Sequence, residues 1–174
     1  MTGNTQLQGW IAEYPSGRYA KAHYSHGSNL ILVCMRGKGY SIAWPKEEGG
    51  ITPWANGKGE LVKTMEYIPG GLISAVPGPS TWFHQHFAYS QDPFRTFLFT
   101  GGVPGAECGR GDASEAGSES VQRSLTDIDK GGNAIPYYME DPYIREYFTG
   151  RLYGEVLQLR CRLRSTRRPA RPLK

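Results

Sequence analysis

The segment TWFHQHFAYS (residues 81–90) decides the fold that this sequence predicts. It is rich in aromatic residues, which favour strands, and Pro-Gly-Pro before it and Gln-Asp-Pro after it are turn signals. Residues two apart in a strand project from the same face, so His84 and His86 share a face with Trp82. The sequence therefore predicts a strand that presents two imidazoles to one surface.

The histidines of this chain are concentrated rather than scattered. There are 4 in total, and His23 and His26 lie together in YAKAHYSHG, a second segment that favours a strand. Neutral imidazole is the commonest metal ligand in proteins and suits iron, copper, nickel and zinc. Two such pairs facing each other would supply three or four ligands. The alternative is that the pair His84 and His86 consists of ordinary strand residues, each satisfied by a hydrogen bond.

The first hundred residues carry the pattern of an antiparallel β-protein. Short apolar runs such as NLILVCM, GYSIAW and FRTFLF are separated by turn residues. Turns about 8 to 12 residues apart are typical of an antiparallel sandwich or barrel. The composition agrees, because 23 glycines and 12 prolines among 174 residues favour turns and strands over long helices. We expect one all-β domain.

Two glycine-to-histidine spacings resemble the motifs of the cupin superfamily, whose members are small antiparallel β-barrels. In the first, Gly17 is followed by five residues and then by His23. In the second, Gly71 is followed by five residues and Pro77, after which a turn leads to His84. The resemblance implies a cupin-type double-stranded antiparallel β-barrel, or jelly roll.

The resemblance covers roughly residues 9–100, and the sequence departs from the motifs within it. His26 gives a His-x-x-His pair where His-x-His is usual, so it faces away from His23 unless a bulge near Ser25 turns it inward. The glutamate usual after this pair is absent, and Ala88 stands where an asparagine is usual. His86 is an additional histidine that is able to take the place of the glutamate.

The resemblance implies a single transition-metal ion inside the barrel, and we expect His23, His84 and His86 to bind it, with His26 as the fourth candidate. Iron(II) is the metal we favour, although copper, nickel, manganese and zinc also accept imidazole. The function we expect is that of an oxygenase, of the dioxygenase type, acting on a small aromatic or enolisable substrate. The alternatives are a non-oxidative isomerase, lyase or decarboxylase and a barrel that binds a ligand without turnover.

Further side chains are candidates for contacts with this small-molecule substrate. They are Tyr24, Tyr40, Trp44, Trp82, Arg95 and Phe99. Aromatic rings would enclose a planar compound, and Arg95 would steer a carboxylate. The alternative is that the rings form the core and that Arg95 is solvated or paired with an acid. No catalytic residue is identified apart from the histidines.

A segment of different texture follows the barrel predicted for residues 1–100. Residues 101–133 are rich in glycine and serine with little to bury, and we interpret them as a flexible loop. Residues 134–174 form a C-terminal extension that ends in a basic tail. The net charge of +4 belongs to this tail, since the stretch from Arg160 to Lys174 is basic and lacks acids.

The C-terminal extension carries two predicted elements. Asp141 is suited to cap a short helix that ends at Gly150, and the alternation in VLQLRCRLR (residues 156–164) predicts a strand after it. The helix and the loop at residues 44–59 are candidates for a lid over the mouth of the barrel, and the alternative is that they pack against a neighbouring subunit.

The remaining sequence features concern location and partners. An odd number of cysteines, 3, without a C-x-x-C pair indicates a reducing compartment, and the N-terminus lacks the pattern of a secretory signal. No apolar run reaches the length of about 18 residues that a membrane helix needs. We therefore expect a cytoplasmic protein that binds neither membranes nor nucleic acid, and we expect a homodimer because barrels of this size often pair their edges.

Overall fold

The structure is a computed structural model that describes residues 7–25, 30–76, 81–101 and 122–165. Within these ranges more residues lie in β-strands than in helices. The strands are β1 (Leu7–Tyr14), β2 (Arg18–Tyr19), β3 (His23–Ser25), β4 (Leu30–Arg36), β5 (Gly39–Pro45), β6 (Lys63–Glu66), β7 (Leu72–Ser74), β8 (Trp82–Ala88) and β9 (Phe94–Gly101). The helical elements are a short helix at Lys46–Gly49, a helical turn at 122–125, a long helix at Pro142–Ser165 and 3-10 turns at Gly59–Leu61 and Ile128–Lys130.

The strands form two antiparallel sheets that pack face to face. One sheet has the order β1-β9-β4-β7, and the other has the order β2-β8-β5-β6 with β3 also paired to β8. The apolar core between them consists of Leu30, Leu32, Cys34, Tyr67, Ala75, Val76, Ala88, Phe94 and Leu98. The predicted all-β antiparallel barrel of the jelly-roll class is confirmed.

The two glycines of the sequence motifs lie where a side chain would be unfavourable. Gly17 has a φ of 68°, a left-handed conformation, at the turn between β1 and β2, and its N–H donates to the carbonyl of Ala88 at 3.0 Å. A Cβ atom on Gly71 would lie 2.9 Å from the carbonyl oxygen of Ile68. Both positions therefore favour glycine, at the turn before β2 and at the turn before β7.

The pairing of β5 with β8 separates the residues of the second sheet into two faces. Ser41 lies opposite His86, and Tyr40 lies opposite Phe87. Opposite residues in an antiparallel pair share a face, so His86 and Ser41 lie on one side and Phe87 and Tyr40 on the other. We call the first the inner face, because it is turned towards the β1 sheet, where the ring of Tyr14 lies 5.8 Å from that of His86.

The outer face of the same sheet is covered by the C-terminal part of the chain. Buried side chains from β5 and β8 pack there against residues that follow position 134. We call this set the outer cluster: Ala22, Tyr40, Ile42, Trp44, Phe83, Phe87, Ile135, Ile144 and Phe148. Both faces of β5 and β8 are thus buried, although only one of them belongs to the barrel interior.

Asp141 fixes the start of the long helix and joins it to the loop after Lys46–Gly49. One carboxylate oxygen accepts hydrogen bonds from the backbone N–H groups of Trp54 and Ala55 at 2.8 and 3.0 Å. The other oxygen accepts from the N–H of Tyr143 at 3.1 Å, which satisfies an amide of the first helical turn. The capping role predicted for Asp141 is therefore confirmed, and the same side chain holds the loop against the helix.

The strand predicted at residues 156–164 is wrong, because the helix that begins at Pro142 continues to Ser165. Gly150 does not end the helix. Beyond it, Arg151 and Glu155 hold the helix to the sheet through ion pairs with Glu66 and Lys38, whose N–O distances are 2.6 and 3.0 Å.

The segment predicted as a flexible loop is partly ordered. Residues 122–133 contain a helical turn and the 3-10 turn Ile128–Lys130, so ordered structure returns earlier than predicted. Residues 102–121 and the basic tail from 166 onward lie outside the described residues. Among the helices that the structure describes, none combines the length and the apolar character required to cross a bilayer.

Candidate functional site

Three of the four histidines meet on the inner face of the second sheet. His84 lies opposite His23 in the pairing of β3 with β8, and their ring centroids are 4.3 Å apart. The ring of His86, two residues along β8, is 5.5 Å from that of His84. The alternation predicted for residues 81–90 is confirmed, and it brings together side chains that lie some sixty positions apart in the sequence.

His84 is the most unusual member of this group. Its side chain is fully buried, and neither ring nitrogen has a hydrogen-bond partner among the described residues. Burial lowers its pKa well below the usual range, and the neighbouring His23 and His86 lower the pKa further. The ring is therefore neutral at physiological pH and has a lone pair available to a ligand.

His86 is held in place by a chain of hydrogen bonds on the inner face. Its Nδ1 lies 2.6 Å from Oγ of Ser41, and that oxygen lies 2.8 Å from the hydroxyl of Tyr67. Burial lowers the pKa of His86 to about 3, so this ring is also neutral. With Nδ1 occupied by Ser41, Nε2 is the nitrogen left for another partner.

His23 completes the group from β3. Its Nδ1–H donates to the backbone carbonyl of Lys21 at 3.2 Å, which leaves Nε2 without a proton in the neutral ring. Burial lowers its pKa. The backbone of His23 also forms a β-bridge with Ala134, so the segment after position 122 helps to fix this histidine.

Sequence reasoning did not identify Ser41 or Tyr67 as site residues. Ser41 occurs in GYSIAW, where it alternates with bulky residues and therefore lies on the opposite face from them. The alternation was a usable signal for Ser41, since a polar residue on a buried strand face needs a partner. Tyr67 follows β6 and had no such signal.

The donor set fits a transition metal in its chemistry, because three neutral imidazoles are available and one is without any hydrogen-bond partner. Within the described residues, however, no group of three or more His, Cys, Asp or Glu side chains is arranged to hold a metal ion. His26, the fourth candidate ligand, lies outside the described residues. Binding therefore requires the rotation of at least one ring or a contribution from His26.

A cavity of about 490 Å³ opens beside the histidines. It contains His23 and His86 and is otherwise walled mainly by apolar and aromatic side chains from both sheets and from the segment after position 122. The described residues that line it are Trp10, Tyr14, Ala20, Lys21, His23, Leu30, His86, Leu98, Ser124, Leu125 and Tyr137. The size lies in the range of small-molecule sites.

The prediction that aromatic residues surround the histidines is wrong for Tyr24, Tyr40 and Trp44. Each lies opposite an outward-facing residue of β8, and Tyr40 and Trp44 belong to the outer cluster. Of the rings predicted for the site, Trp82 alone shares the inner face, in the same alternation as His84. The physical reason is that these three rings and the histidines project from opposite faces of the same sheet.

The remaining two candidates lie on the other sheet and also face away. β9 turns Phe94, Thr96 and Leu98 inward, so Arg95 and Phe99 point outward. Arg95 is exposed and forms an ion pair with Glu13, with an N–O distance of 2.5 Å. This is the alternative that the sequence left open for Arg95, and the prediction that it steers a substrate at this site is corrected.

The cover of the cavity comes from a different part of the chain than predicted. The loop after Lys46 packs against the start of the long helix, where the rings of Trp54 and Tyr143 stack with centroids 4.7 Å apart. Neither residue lines the cavity, whereas Ser124, Leu125 and Tyr137 do. The segment at 122–137 therefore closes this side of the cavity.

Comparison with known proteins gives matches among solved structures only. A scan against models of protein families and a search of curated proteins find no match. The chain is similar to the cupin domain of Schizosaccharomyces pombe Cnp3, with 10% identity over 74% of this chain and 70% of that chain and a TM-score of 0.43. A Cupin 2 conserved barrel domain protein from Salinispora arenicola is 14% identical over 70% of this chain and 76% of that chain, with a TM-score of 0.40.

An enzyme is also among the similar structures. The oxalate decarboxylase of Lactobacillus farciminis, solved as a formate complex, is 12% identical over 55% of this chain and 24% of that chain, with a TM-score of 0.43. These similarities are too low to indicate an activity for this chain. The strand order of its two antiparallel sheets identifies its fold as a β-barrel of the jelly-roll class, with the histidines on its inner face.

Proposed function

We propose that this chain is a metal-dependent enzyme whose transition-metal ion is held by His23, His84 and His86, and that it is an oxygenase of a small aromatic or enolisable compound. The observation that carries the proposal is His84, whose buried ring has no hydrogen-bond partner among the described residues. A buried polar group without a partner costs about 1–3 kcal/mol. A ligand that the ring binds would remove this cost.

The histidines are already in the protonation state that a metal ligand needs. Burial lowers the pKa of each of His23, His84 and His86, so at neutral pH each ring is uncharged and has one nitrogen with a lone pair for a metal. We favour iron(II), and copper, nickel, manganese and zinc suit the same donors. Such an ion would supply open positions for O₂ and for a substrate oxygen.

The chain's own residues orient the ligands and limit the access of water. Ser41 and Tyr67 fix the ring of His86, and the carbonyl of Lys21 fixes that of His23. Partners of this kind determine which nitrogen of a metal-binding histidine is available. The cavity beside the histidines has mainly apolar walls, which would hold an aromatic compound next to them.

The experiment that tests the metal is elemental mass spectrometry on protein purified without a histidine tag. We expect about one equivalent of a transition metal in the unmodified chain and loss of it in His84→Leu. The matched control is Thr96→Val, because Thr96 is also buried on an inner strand face with an unpartnered side-chain oxygen but offers no imidazole. Metal-free unmodified protein, even after anaerobic reconstitution with iron(II), would refute the proposal.

The reaction class requires a separate measurement. An oxygen electrode, used with the metal-loaded protein and a panel of catechols and 1,3-diketones, should record O₂ consumption that His84→Leu abolishes. Conversion of a compound without O₂ consumption would instead support an isomerase, lyase or decarboxylase.

A second candidate is a barrel that binds a small ligand without turnover. It is favoured by the absence, among the described residues, of a three-ligand group already arranged for a metal. Ligand binding by protein that takes up no metal would support this function over the first.

A further inference from the structure

The cavity beside the histidines contains a cation that the metal proposal does not use. Lys21 lines the cavity and lies two residues before His23. Its side chain is 31% exposed, and its ammonium lies 5.7 Å from the centre of the Tyr137 ring. Among the described residues that line the cavity, Lys21 is the single lysine, and no arginine, aspartate or glutamate is present.

The charge of Lys21 is only partly balanced. Its Nζ lies 2.5 Å from a carboxylate oxygen of Asp127, and the other oxygen of Asp127 lies 3.3 Å from Nζ of Lys130. Two ammonium groups thus share one carboxylate, and this group of three carries one net positive charge. Lys130 is 68% exposed and does not line the cavity, so Lys21 is the member that faces a bound molecule.

The walls of the cavity favour a flat apolar body next to this charge. Trp10, Tyr14 and Tyr137 supply rings, and Leu30 and Leu98 supply apolar surface. Aromatic side chains form favourable offset or edge contacts with a planar ring. A single lysine matches one negative charge, whereas a phosphate ester usually engages several donors.

We propose that this cavity binds a small aromatic carboxylate, with its ring between Trp10, Tyr14 and Tyr137 and its carboxylate on Lys21. The inference rests on the proposed function in one respect, since it takes the same cavity as the substrate site. It names the substrate class and assigns to Lys21 the role of a specificity-determining residue. It does not require the metal for binding.

The test is to titrate the protein with benzoate and with its neutral isostere benzamide. Binding is measured by isothermal titration calorimetry and by NMR line broadening of the ligand. Both the metal-depleted and the metal-loaded full chain are used. We expect the unmodified protein to bind benzoate more tightly than benzamide. Lys21→Met should lower the affinity for benzoate at least about tenfold, because a hydrogen bond to a charged group is lost. It should leave the affinity for benzamide nearly unchanged.

The matched control is Lys130→Met, which removes the other partner of Asp127 without altering the cavity wall. We expect it to weaken benzoate binding less than Lys21→Met does, because Lys130 adds to the net charge of the group from outside the cavity, where solvent screens it. Lys21→Arg keeps the charge and should retain most of the affinity, and a thermal melt of each variant shows that it is folded.

The outcomes separate this inference from the proposed function. Benzoate binding that depends on Lys21 in a protein that takes up no metal would leave the inference intact and refute the metal. A metal-binding protein in which Lys21→Met leaves benzoate affinity unchanged, or in which benzamide binds as well as benzoate, would overturn the inference. Failure of the unmodified protein to bind benzoate in either metal state would also overturn it.

Discussion

The two faces of β8 are both buried but bury different kinds of side chain. The outward residues Phe83 and Phe87 stack on Trp44 and Tyr40, with ring centroids 5.4 and 4.4 Å apart. The inward residue His84 has no hydrogen-bond partner among the described residues. One strand therefore carries a face of stacked aromatic rings that holds the fold together and a face of buried imidazoles that are able to bind a ligand. On the outer face the hydroxyl of Tyr40 and Oε1 of Gln85 also lack a partner among the described residues, but neither is an imidazole.

This difference shows how a buried polar group without a partner is maintained. The cost of His84 is small beside the contribution of the outer cluster, in which each fully buried aromatic side chain contributes on the order of 2–3 kcal/mol. We infer that the C-terminal segment stabilises the site indirectly, by burying the outer face of the strand that carries it.

The largest expected effect is on the outer face. Phe87→Ala should lower the free energy of unfolding by about 3–5 kcal/mol, because it leaves a cavity beneath Tyr40 and Phe148. Phe97→Ala is the control, since Phe97 is 40% exposed on the other sheet and should cost less than about 1.5 kcal/mol. Urea unfolding measures both, and equal losses would refute the division into two unlike faces.

Loss of the link between loop and helix should have the next largest effect. Asp141→Ala removes a buried carboxylate that accepts hydrogen bonds from Trp54, Ala55 and Tyr143, and we expect a loss of about 2–4 kcal/mol. Asp92→Ala, which breaks an exposed ion pair with Arg36, should cost less than about 1 kcal/mol. A loss for Asp141→Ala no greater than for this control would contradict the assigned role.

Acid should lower the free energy of unfolding of the metal-depleted protein through the histidines of the inner face. Folding lowers the pKa values of His84 and His86, so the unfolded chain binds protons below about pH 6.5 that the folded chain does not. The contribution of these histidines to the free energy of unfolding is therefore fully present above that pH. As the pH decreases, the free energy of unfolding should fall by about 1.4 kcal/mol per pH unit for each histidine. The decrease continues until the pH reaches the pKa of the folded state, which is about 3 for His86.

This slope is measured by urea unfolding between pH 7 and 5.5, above the range in which ordinary carboxylates titrate. His84→Leu should make it shallower by the contribution of one histidine. A stability that stays constant over this range, or a slope unchanged by His84→Leu, would show that the histidines are not buried in the neutral form.

The smallest effect is expected at Arg95. Arg95→Gln breaks an exposed pair with Glu13 and should change stability by less than about 1 kcal/mol, because solvent screens such pairs. It should also leave benzoate affinity unchanged, in contrast to Lys21→Met. A clear loss of benzoate affinity in Arg95→Gln would mean that Arg95 contacts the ligand after all.

The sequence was sufficient for the barrel and for the meeting of three histidines. The alternation in residues 81–90 shows which side chains share a face, and the motif spacings predict that His23 lies near His84. Alternation does not show which of two apolar faces is the interior. Tyr40 and Trp44 were misplaced for this reason, since a distant segment buries the outer face as completely as the barrel buries the inner one.

The continuation of the helix beyond Gly150 was not predicted, because the strand-like alternation of residues 156–164 conflicts with the tendency of a helix, once started, to extend along the chain. Residues 156–164 alternate like a strand, but leucine, glutamine and arginine are good helix formers, and Val156 is the single β-branched residue there. Once Asp141 has capped the first turn, each added residue extends the helix at little cost, and Gly150 and Gly154 each cost only about 1 kcal/mol. Lys21 was missed because lysines are usually solvated and its place beside the cavity depends on the segment after position 122.

The cover of the outer face also has a consequence for biosynthesis. Ile135, Ile144 and Phe148 are translated after β1 to β9, the strands that the structure describes, so the outer face of β5 and β8 is without its cover until they emerge from the ribosome. A nascent chain that ends near Gly101 would expose Phe83 and Phe87 to solvent and to chaperones. The barrel of this protein is therefore expected to reach its native state only after the helix that follows Asp141 has been translated.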